Sequence, residues 1–348
     1  MQNDIFLQAC RRLHVHRTPV WIMRQAGRYL PEYRAIRSKV NFLTMCTTPE
    51  LAAEVTLQPV DTLGVDAAII FSDILVLPQA MGMKLIVEEG KGGPRFSEPL
   101  RTAADIQKLI VPDPCQKLGY VMDTIRLARK ALNGRVPLIG FVGSPWTLAN
   151  YMIEGRGTKD FLSIKTMMYS QPSILHALLD KIAQSAIQFC EAQIQAGAQA
   201  IQIFDTWGGI LTPDDFKEFS LRYIEHIVRS IKKPDVPVIV FCKGAGFSLK
   251  DIAEIGTDVV GLDWTIDIGN ARTIVEGKVA LQGNLDPALL YAPPEKIREG
   301  VKIILAKYGK GEGHICNLGH GIHPDTPVEH VKAFVLAVKE ESVPYHSY

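Results

Sequence analysis

Short apolar runs recur along the chain and alternate with segments patterned as amphipathic helices. The runs are continuously apolar and do not alternate with polar residues, which is typical of parallel strands covered on both faces. Eight runs can be counted, and they span residues 19–23, 66–73, 136–143, 200–207, 236–244, 258–264, 279–286 and 313–319.

The segments between the runs carry the residues that begin and end helices. Residues 48–64 offer Thr48 as an N-cap and Gly64 just past the last turn. Residues 211–233 begin with a Thr-Pro pair and end with two lysines, which the helix dipole favours. A third, longer amphipathic helix is predicted to end at Gly197.

Eight strands that are each followed by a helix predict an α/β fold, a single (β/α)8 TIM barrel. An open, doubly wound sheet is the alternative. Residues 84–100 break the pattern, and we interpret them as a β-hairpin insertion after the second strand. No linker or low-complexity stretch divides the chain, so one domain is predicted over residues 1–348.

Composition narrows the class of protein. The chain has 348 residues, of which 47% are apolar and 22% charged, close to the average for a globular protein. The net charge of +1 argues against nucleic acid as a partner. Six scattered cysteines without a C-x-x-C motif indicate reduced thiols.

The N-terminal residues and the hydropathy of the chain bear on its location. The N-terminus lacks the apolar segment of a secretory signal. No run of about 18 apolar residues is present, so no membrane span is expected. We expect a cytoplasmic location, or the plastid stroma if a transit peptide has been removed.

Polar side chains gather just after the predicted strands. In barrels of this type the active site lies at the carboxyl ends of the strands, so these side chains are expected to converge on one mouth. They are Arg24, Arg28, Asp73, Trp146, Tyr151, Asp205, Thr206, Trp207, Lys243, Asp263, Asn284, Asp286, His320 and His323.

The most distinctive segment, residues 23–37, holds four arginines. Guanidinium groups bind carboxylate or phosphate through a planar fork. Arg24 and Arg28 directly follow a strand, which favours a binding function, and the intervening Gly27 lets the backbone approach a ligand. We interpret the other two arginines, Arg34 and Arg37, as solvated.

A carboxylate stands in the apolar stretch "DAAIIFSDILVLP", residues 66–78. A buried charge is costly unless another group pairs with it or donates hydrogen bonds to it. No neighbour in sequence offers such a partner to Asp73, so the partner is expected to lie far along the chain or to be a ligand. The alternative is a structural acid that caps a neighbouring loop.

Several other patterns are weaker signals. The segment "GAGFSL" lacks the third glycine of a dinucleotide-binding motif. His314 and Cys316 could begin a zinc site, but their alternation favours one face of a packed strand. The remaining histidines outside the strand ends are interpreted as surface or internally satisfied residues: His14, His16, His176, His226, His330 and His346.

Seven motifs, in order along almost the whole chain, resemble the uroporphyrinogen decarboxylase family. They are "PVWIMRQAGRYLPEYR", "LQP", "AAIIFSDIL", "GKGGPRFSEPL", "LIGFVGSPWTLANYMIEG", "GNLDP" and "NLGHGIHPDTPVEHV". The resemblance implies a single (β/α)8 barrel, usually a homodimer. It also implies removal of CO2 from the four acetate side chains of uroporphyrinogen III, giving coproporphyrinogen III in haem and chlorophyll biosynthesis, with no metal or prosthetic group.

The resemblance also implies functions for particular residues. Arg24, Arg28 and Asp73 are expected to be catalytic, with Asp73 facing the pyrrole nitrogens of the substrate. Phe141 is expected to belong to an apolar wall, and Thr206 occupies a position where many members have Ser. The residues expected to bind substrate are Arg24, Gln25, Ala26, Gly27, Arg28, Asp73, Tyr151, Thr206 and His320.

The chemistry of such a substrate agrees with this set of residues. Its eight carboxylates require cations to hold them. A pyrrole acetate loses CO2 readily only after the adjacent ring carbon is protonated, because the cationic ring then accepts the electrons. The protein must therefore stabilise a transient cation and deliver protons, and no cofactor is expected.

Two other functions compete with this one. The related zinc-dependent methyltransferases, which act on corrinoid or thiol substrates, need a His-x-Cys near the end of the fifth strand. Here Val240 stands where that His is required. A non-catalytic tetrapyrrole carrier would bind substrate without releasing CO2.

Overall fold

The computed structural model describes residues 2–87, 93–158, 160–231 and 233–347. Within these residues the chain forms nine short strands. They are β1 (Ala68–Ile69), β2 (Leu85–Ile86), β3 (Arg95–Phe96), β4 (Leu138–Gly143), β5 (Ala200–Asp205), β6 (Val238–Cys242), β7 (Val259–Gly261), β8 (Ala280–Gln282) and β9 (His314–Ile315).

The described helices lie between these strands in the chain, before β1 and after β9. The α-helices are α1 (Ile5–Cys10), α2 (Pro31–Arg37), α3 (Phe42–Thr47), α4 (Pro49–Leu63), α5 (Val76–Ala80), α6 (Ala103–Lys108), α7 (Pro114–Lys117), α8 (Gly119–Leu132), α9 (Pro145–Glu154), α10 (Leu162–Ser170), α11 (Pro172–Ala196), α12 (Pro213–Phe216), α13 (Arg222–Ile231), α14 (Leu249–Glu254), α15 (Ile268–Val275), α16 (Pro294–Tyr308) and α17 (Val328–Glu341). A π-helical turn, Lys217–Leu221, joins α12 to α13, and 3-10 turns span Gly208–Ile210, Gly246–Ser248, Pro287–Tyr291 and Val343–Tyr345.

Seven strands form one parallel sheet in the order β1-β4-β5-β6-β7-β8-β9. Each new strand is thus added beside the previous one, and a helix covers the return to the start of the next, as right-handed βαβ units require. The result is an α/β fold with a curled parallel sheet, as the hydrophobic pattern predicts.

The first predicted strand, residues 19–23, is not an extended strand in the structure. It contributes one parallel bridge, between Val20 and Cys316. On its other side the backbone N–H of Asp66 donates to the carbonyl of Val20 at 2.7 Å. The segment therefore contacts both ends of the sheet, near β1 and β9, but pairs too briefly to count as a strand.

The segment predicted to form an inserted hairpin, residues 84–100, contains two short antiparallel strands. Leu85 of β2 pairs with Phe96 of β3. The residues that join the strands, 88–92, lie outside the described residues. The hairpin insertion therefore stays a prediction.

The predicted helix boundaries in two segments are confirmed. Helix α4 ends at Gly64, which has the left-handed φ of +67° that favours glycine. Helix α11 ends at Gly197, where φ is +118°. The helix predicted over residues 211–233 is divided into α12, the π turn and α13.

Buried side chains are joined by hydrogen bonds across the interior of the curled sheet. The Trp21 indole Nε1 donates to Gln282 Oε1 at 2.8 Å, and Gln282 Nε2 donates to Gln202 Oε1 at 3.3 Å. All three residues are at most 2% exposed. Because side chains repeat every two residues along a strand, Phe204 lies on the same face as Gln202, nearer the carboxyl end of β5.

Among the described residues, no helix is both long enough and apolar enough to cross a membrane.

Candidate functional site

Asp73 lies just beyond the end of β1, at the carboxyl edge of the sheet. Strand β1 pairs with β4 at only two positions, Ala68 with Leu138 and Ile69 with Ile139. The chain then leaves the sheet and turns into α5. Parallel strands present their carboxyl ends to the active site of such folds, so the departure of β1 delivers Asp73 to the mouth.

The Asp73 carboxylate has a local partner that the sequence interpretation missed. Leu75 N donates to Asp73 Oδ1 at 2.8 Å, two residues along the chain. Burial raises the pKa of Asp73, whereas this hydrogen bond and the charge of Arg24 lower it. Oδ1 therefore caps a turn, as the structural alternative expected, and among the described residues Oδ2 accepts no hydrogen bond from protein.

Arg24 lies at the centre of the group of predicted site residues. Its positive charge lowers the pKa values of Asp73, Tyr151 and His320. Its side chain runs over the backbone of Gly321, where a Cβ would lie only 2.9 Å from Arg24 Nε. The structure thus brings Arg24, Asp73, Tyr151 and His320 together from four different parts of the chain.

The backbone of Arg24 adopts an unusual conformation. Its φ is +61°, in the left-handed region that residues with a Cβ rarely enter. Such a conformation costs of order 1–3 kcal/mol and persists where the surrounding structure holds it in place. Here Met23 N donates to Asn317 Oδ1 at 2.9 Å, and Ile322 N donates to the carbonyl of Met23 at 3.0 Å.

Residues 24–28 form a loop, the arginine loop, whose other predicted site residues have different surroundings. Gln25 is fully buried, and its Nε2 donates to the carbonyl of Ala67 at 3.0 Å. Ala26 and Gly27 are half-buried, whereas Arg28 is exposed. Gln25 therefore supports the loop from inside, and its predicted substrate contact stays a prediction, as do those of the other loop residues.

Arg28 lines an open depression of about 890 Å³ on the outer side of the loop. Residues 324–328 form the opposite side of this depression. The guanidinium of Arg28 is therefore available to an anion in this depression. Arg24, by contrast, is the arginine within electrostatic range of Asp73.

Tyr151 is carried by helix α9 and is half-buried. Burial raises the pKa of its hydroxyl, the nearby Asp73 raises it further, and Arg24 lowers it. Its ring packs 3.6 Å from the position that a Cβ would take at Gly157. A protonated hydroxyl at this position can donate a hydrogen bond to a carboxylate.

Asp205, at the end of β5, fixes the segment that carries Thr206. Its carboxylate accepts hydrogen bonds of 2.7 Å from the hydroxyls of Ser144, Thr147 and Ser220. Burial raises the pKa of Asp205, and these hydroxyl donors lower it. Asp205 is thus satisfied within the protein, whereas Thr206, next along the chain, is half-buried.

His320 lies between two aromatic rings on the opposite side of the mouth. Its ring centroid is 6.1 Å from that of Phe241 and 6.5 Å from that of Trp264. Lys243 Nζ lies 5.4 Å from the Trp264 ring centroid. Burial, followed by the charges of Arg24 and Lys243, lowers the pKa of His320 to about 3, so the imidazole is neutral near pH 7.

Lys243 is a strand-end residue that the sequence interpretation noted but did not assign to the site. The carboxylate of Asp263 accepts hydrogen bonds from the neighbouring Gly244 N at 2.6 Å and from Thr265 N at 2.8 Å. Backbone donors therefore satisfy Asp263, and Lys243 adds a cation to the wall that holds His320. Its position after a strand was the only available signal.

Three phenylalanines form an apolar surface between these polar groups. The rings of Phe141 and Phe204 lie 5.8 Å apart, and those of Phe204 and Phe241 lie 6.3 Å apart, both edge to face. They come from the neighbouring strands β4, β5 and β6. This arrangement supports the expectation that Phe141 belongs to an apolar wall.

His314 and Cys316 are packed inside the sheet. The His314 ring stacks on Tyr308 with a centroid separation of 4.4 Å, and its Nε2 lies 3.3 Å from the carbonyl of Gly283. Cys316 is fully buried. Across the part of the chain that the structure describes, no three His, Cys, Asp or Glu side chains are grouped so that they could hold a metal ion.

Comparison with known proteins gives a consistent result. Residues 1–341 match the uroporphyrinogen decarboxylase (URO-D) family. The uroporphyrinogen decarboxylase of Edwardsiella ictaluri is 58% identical, and that of Escherichia coli O7:K1 is 56% identical, each over 99% of this chain and 99% of the relative.

Solved structures show a shared fold at lower identity. A methyltransferase from Methanosarcina mazei superposes with a TM-score of 0.82 at 23% identity, covering 96% of this chain and 97% of that one. A B12-independent methionine synthase from Shewanella has a TM-score of 0.56 at 11% identity, covering 87% and 91%. These likenesses concern the fold alone. The match over nearly the whole chain, together with relatives above 50% identity, shows that the chain belongs to the uroporphyrinogen decarboxylase family.

Proposed function

We propose that this protein removes CO2 from the four acetate side chains of uroporphyrinogen III to give coproporphyrinogen III, in haem biosynthesis. Membership of the family supports this assignment. The observation that carries it is the placement of one carboxylate, Asp73, in a mouth shared with Arg24, Tyr151 and His320. The free oxygen of that carboxylate can accept the pyrrole N–H groups of a macrocycle.

The electrons of the broken C–C bond go to the substrate itself. A proton added to the pyrrole carbon beside the acetate creates a cationic ring. The carboxylate carbon then leaves as CO2, and the bonding electrons neutralise the ring. The resulting methylene takes a second proton to become a methyl group, and the ring carbon releases the first proton, which restores the neutral aromatic pyrrole. Asp73, when ionised, stabilises the cation that develops and so favours the transition state over the ground state.

The carboxylates of the substrate are held by cations on both sides of the mouth. Arg24, together with Lys243 just after β6, lies near His320. Arg28, in the same loop as Arg24, holds a carboxylate that reaches the depression it lines. A hydrogen bond from a charged donor contributes about 1.5–3 kcal/mol. Neutral His320 and the Tyr151 hydroxyl add donors that carry no charge. Ala26, Gly27 and Thr206 are half-buried loop and wall residues that can lie beside the substrate, whereas the fully buried Gln25 supports the loop from inside.

A water molecule held by Tyr151 or His320 is the proton donor that this arrangement favours. Arginine is a poor general acid because its pKa exceeds about 12. The imidazole of His320 is neutral near pH 7, since its pKa lies at about 3. His320 can therefore orient water through hydrogen bonds while its imidazole stays neutral.

The eighth strand, the hairpin insertion, the single domain, the oligomeric state and the cellular location are also proposals. Residues 19–23 occupy the position of an eighth strand, which closes the sheet into a (β/α)8 barrel, and residues 84–100 form a hairpin insertion. The chain acts as a single domain over residues 1–348. Family resemblance supports a homodimer, and the bacterial relatives support a cytoplasmic location rather than the plastid stroma.

Incubation with anaerobically reduced uroporphyrin tests the assignment. Chromatography of the oxidised products is expected to give coproporphyrin, with porphyrins of seven, six and five carboxylates at early times. Binding without any loss of carboxylate would instead identify a tetrapyrrole carrier. The zinc-dependent methyltransferase alternative is opposed by Val240, a side chain that cannot bind a metal, at the position that requires a histidine.

A further inference from the structure

The parallel pairing of β1 with β4 stops abruptly just before Asp73. Ile70 N donates to the carbonyl of Ile139 at 3.0 Å, which is the last backbone hydrogen bond between the two segments among the described residues. Continued pairing would next use the backbone groups of Phe141, two residues further along β4. Those groups would be left without partners, and unpaired buried backbone groups are costly.

The side chain of Gln193, on α11, takes the place of the missing strand. Phe141 N donates to Gln193 Oε1 at 3.0 Å, and Gln193 Nε2 donates to the carbonyl of Phe141 at 3.0 Å. Gln193 is fully buried. Its carboxamide thus presents one acceptor and one donor to Phe141, as the backbone of a neighbouring strand would.

This substitution depends on a glycine in β4. A Cβ at Gly140 would lie 2.6 Å from Gln193 Oε1, closer than real Cβ atoms come to another heavy atom. Only glycine at this position lets the carboxamide approach the strand. Gly140 and Gln193 therefore form a matched pair across the α11–β4 contact.

The segment that leaves the sheet is held on another side by Thr56 of α4. Phe71 N donates to Thr56 Oγ1 at 2.9 Å, while the same hydroxyl donates to the carbonyl of Ala52 at 2.7 Å. Thr56 is fully buried. Its hydroxyl fixes the backbone two residues before Asp73.

We propose that Gln193 and Thr56 are positioning residues for Asp73: together they separate the end of β1 from β4 and hold it at the distance from the sheet that the reaction requires. The proposal rests on the proposed function, in which Asp73 stabilises the cationic ring. Both side chains are fully buried and bond to backbone groups, so they act on Asp73 through the backbone. A displacement of about 1 Å at a catalytic group can lower a rate by as much as 10²-fold, so the loss of either hydrogen-bond set is expected to reduce turnover.

Thr56→Val tests the proposal because it removes the hydroxyl and keeps the shape. We expect kcat to fall about 10- to 100-fold with KM changed by less than about twofold. Thr56→Ser is expected to restore most of kcat. Gln193→Met is the second variant, with the same expected division between kcat and KM.

A matched control separates positioning from loss of stability. Thr124 of α8 is also buried, and its hydroxyl donates only within its own helix, to the carbonyl of Tyr120 at 2.7 Å. Thr124→Val should therefore lower thermal stability without the fall in kcat. In an Asp73→Asn background, Thr56→Val should cause little further loss, because the group that it positions is already absent.

Amide hydrogen exchange provides a readout that does not depend on activity. The amides of Phe71 and Phe141 are expected to exchange slowly in the unmodified protein, and about 10-fold faster or more in Thr56→Val and Gln193→Met respectively. Rapid exchange in the unmodified protein would overturn the proposed geometry. Three results would overturn the positioning. The first is a kcat within twofold of the unmodified value in both Thr56→Val and Gln193→Met, and the second is an equal fall of kcat in Thr124→Val. The third is a full multiplicative loss of kcat when Thr56→Val is added to Asp73→Asn. An unmodified protein that releases no CO2 would instead contradict the proposed function.

Discussion

Arg34 donates from Nη1 to the backbone carbonyl of Arg28 at 2.7 Å, and the same atom donates to the carbonyl of Tyr29 at 2.9 Å. The guanidinium therefore holds the end of the arginine loop in place. The sequence interpretation of Arg34 as merely solvated was incomplete, since its side chain is exposed but both bonds are made to protein. Arg34 is for this reason unsuitable as an inert control for its neighbours.

Arg24→Ala and Arg28→Ala are each expected to lower kcat/KM by about 10- to 150-fold. Each change removes a charge-assisted contact with a carboxylate, which contributes about 1.5–3 kcal/mol. Lysine should rescue only partly, because it keeps the charge and loses the planar fork. Arg126→Ala is the control, since Arg126 is exposed and pairs at 2.7 Å with Asp123 on its own helix. Similar mild effects in all three variants would contradict substrate binding by the loop.

Asp73→Asn is expected to lower turnover by about 10²-fold or more, at least about 2.7 kcal/mol in the activation free energy. The amide oxygen can still accept from Leu75 N, so the melting temperature should stay the same or rise slightly. Asp73→Glu should also lose activity, because the longer side chain moves the carboxylate into the space of the macrocycle. Steady-state rates and thermal melts measure both effects. A folded Asn variant within a few-fold of the unmodified rate would refute the assignment.

Tyr151→Phe and His320→Asn should reduce activity without abolishing it. Tyr151→Phe removes, and the shorter side chain of His320→Asn displaces, a donor that holds a substrate carboxylate in place while the ring is turned for the next decarboxylation. Partly decarboxylated porphyrinogens should therefore accumulate, and chromatography at fixed times measures their proportions. A product profile identical to that of the unmodified protein in both variants would mean that neither side chain contacts substrate.

Acid should destabilise the folded protein through His314. Burial lowers the pKa of His314 from the ordinary 6.5 to about 3, so the folded state keeps it neutral while the unfolded state binds a proton below pH 6.5. Stability is therefore lost as pH falls from about 6.5 towards 3, with a slope of up to about 1.4 kcal/mol per pH unit from this group.

Denaturant unfolding at several pH values checks this slope. His314→Phe, which retains a ring to stack on Tyr308, should remove that part of the pH dependence. His226→Asn is the control, since His226 is exposed on α13. An unchanged slope in His314→Phe would show that other groups cause the acid sensitivity.

Activity is expected to survive exhaustive dialysis against a chelator. The protonated pyrrole is the electron sink in the proposed reaction, so the chemistry requires no metal. The measurement is the rate of coproporphyrin formation before and after dialysis, with and without added zinc. Activity that disappears with EDTA and returns with zinc would revive the methyltransferase class of mechanism.

Much of the fold follows from the chain's apolar runs because parallel strands must be covered on both faces. The exception, residues 19–23, shows what such a pattern omits. Ile22 N donates to the Gln25 side chain at 3.1 Å, so a side chain takes a position that a neighbouring strand would fill. Hydrophobicity carries no information about such a replacement, and neither does it distinguish a two-residue strand from a six-residue one.

The candidate residues Arg24, Asp73 and His320 could be picked out from the sequence because each lies at or just beyond the end of an apolar run. What could not be predicted was which of them meet, because that depends on distances between loops far apart in sequence. The function of Gln193 was also hidden. In sequence it is one polar residue of an amphipathic helix, and only its contact with Phe141 distinguishes it from a solvated glutamine.

The buried, hydrogen-bonded set of Trp21, Gln282 and Gln202 crosses the interior of the curled sheet, and this has a consequence for the movement of substrate. A macrocycle that binds at the carboxyl edge of the sheet meets these buried side chains below it, so each partly processed ring is expected to reverse its path or turn in place before the next acetate can react. Intermediates can either escape to solution or turn within the site. The ratio of these two rates therefore decides whether the four decarboxylations occur in one binding event or in several.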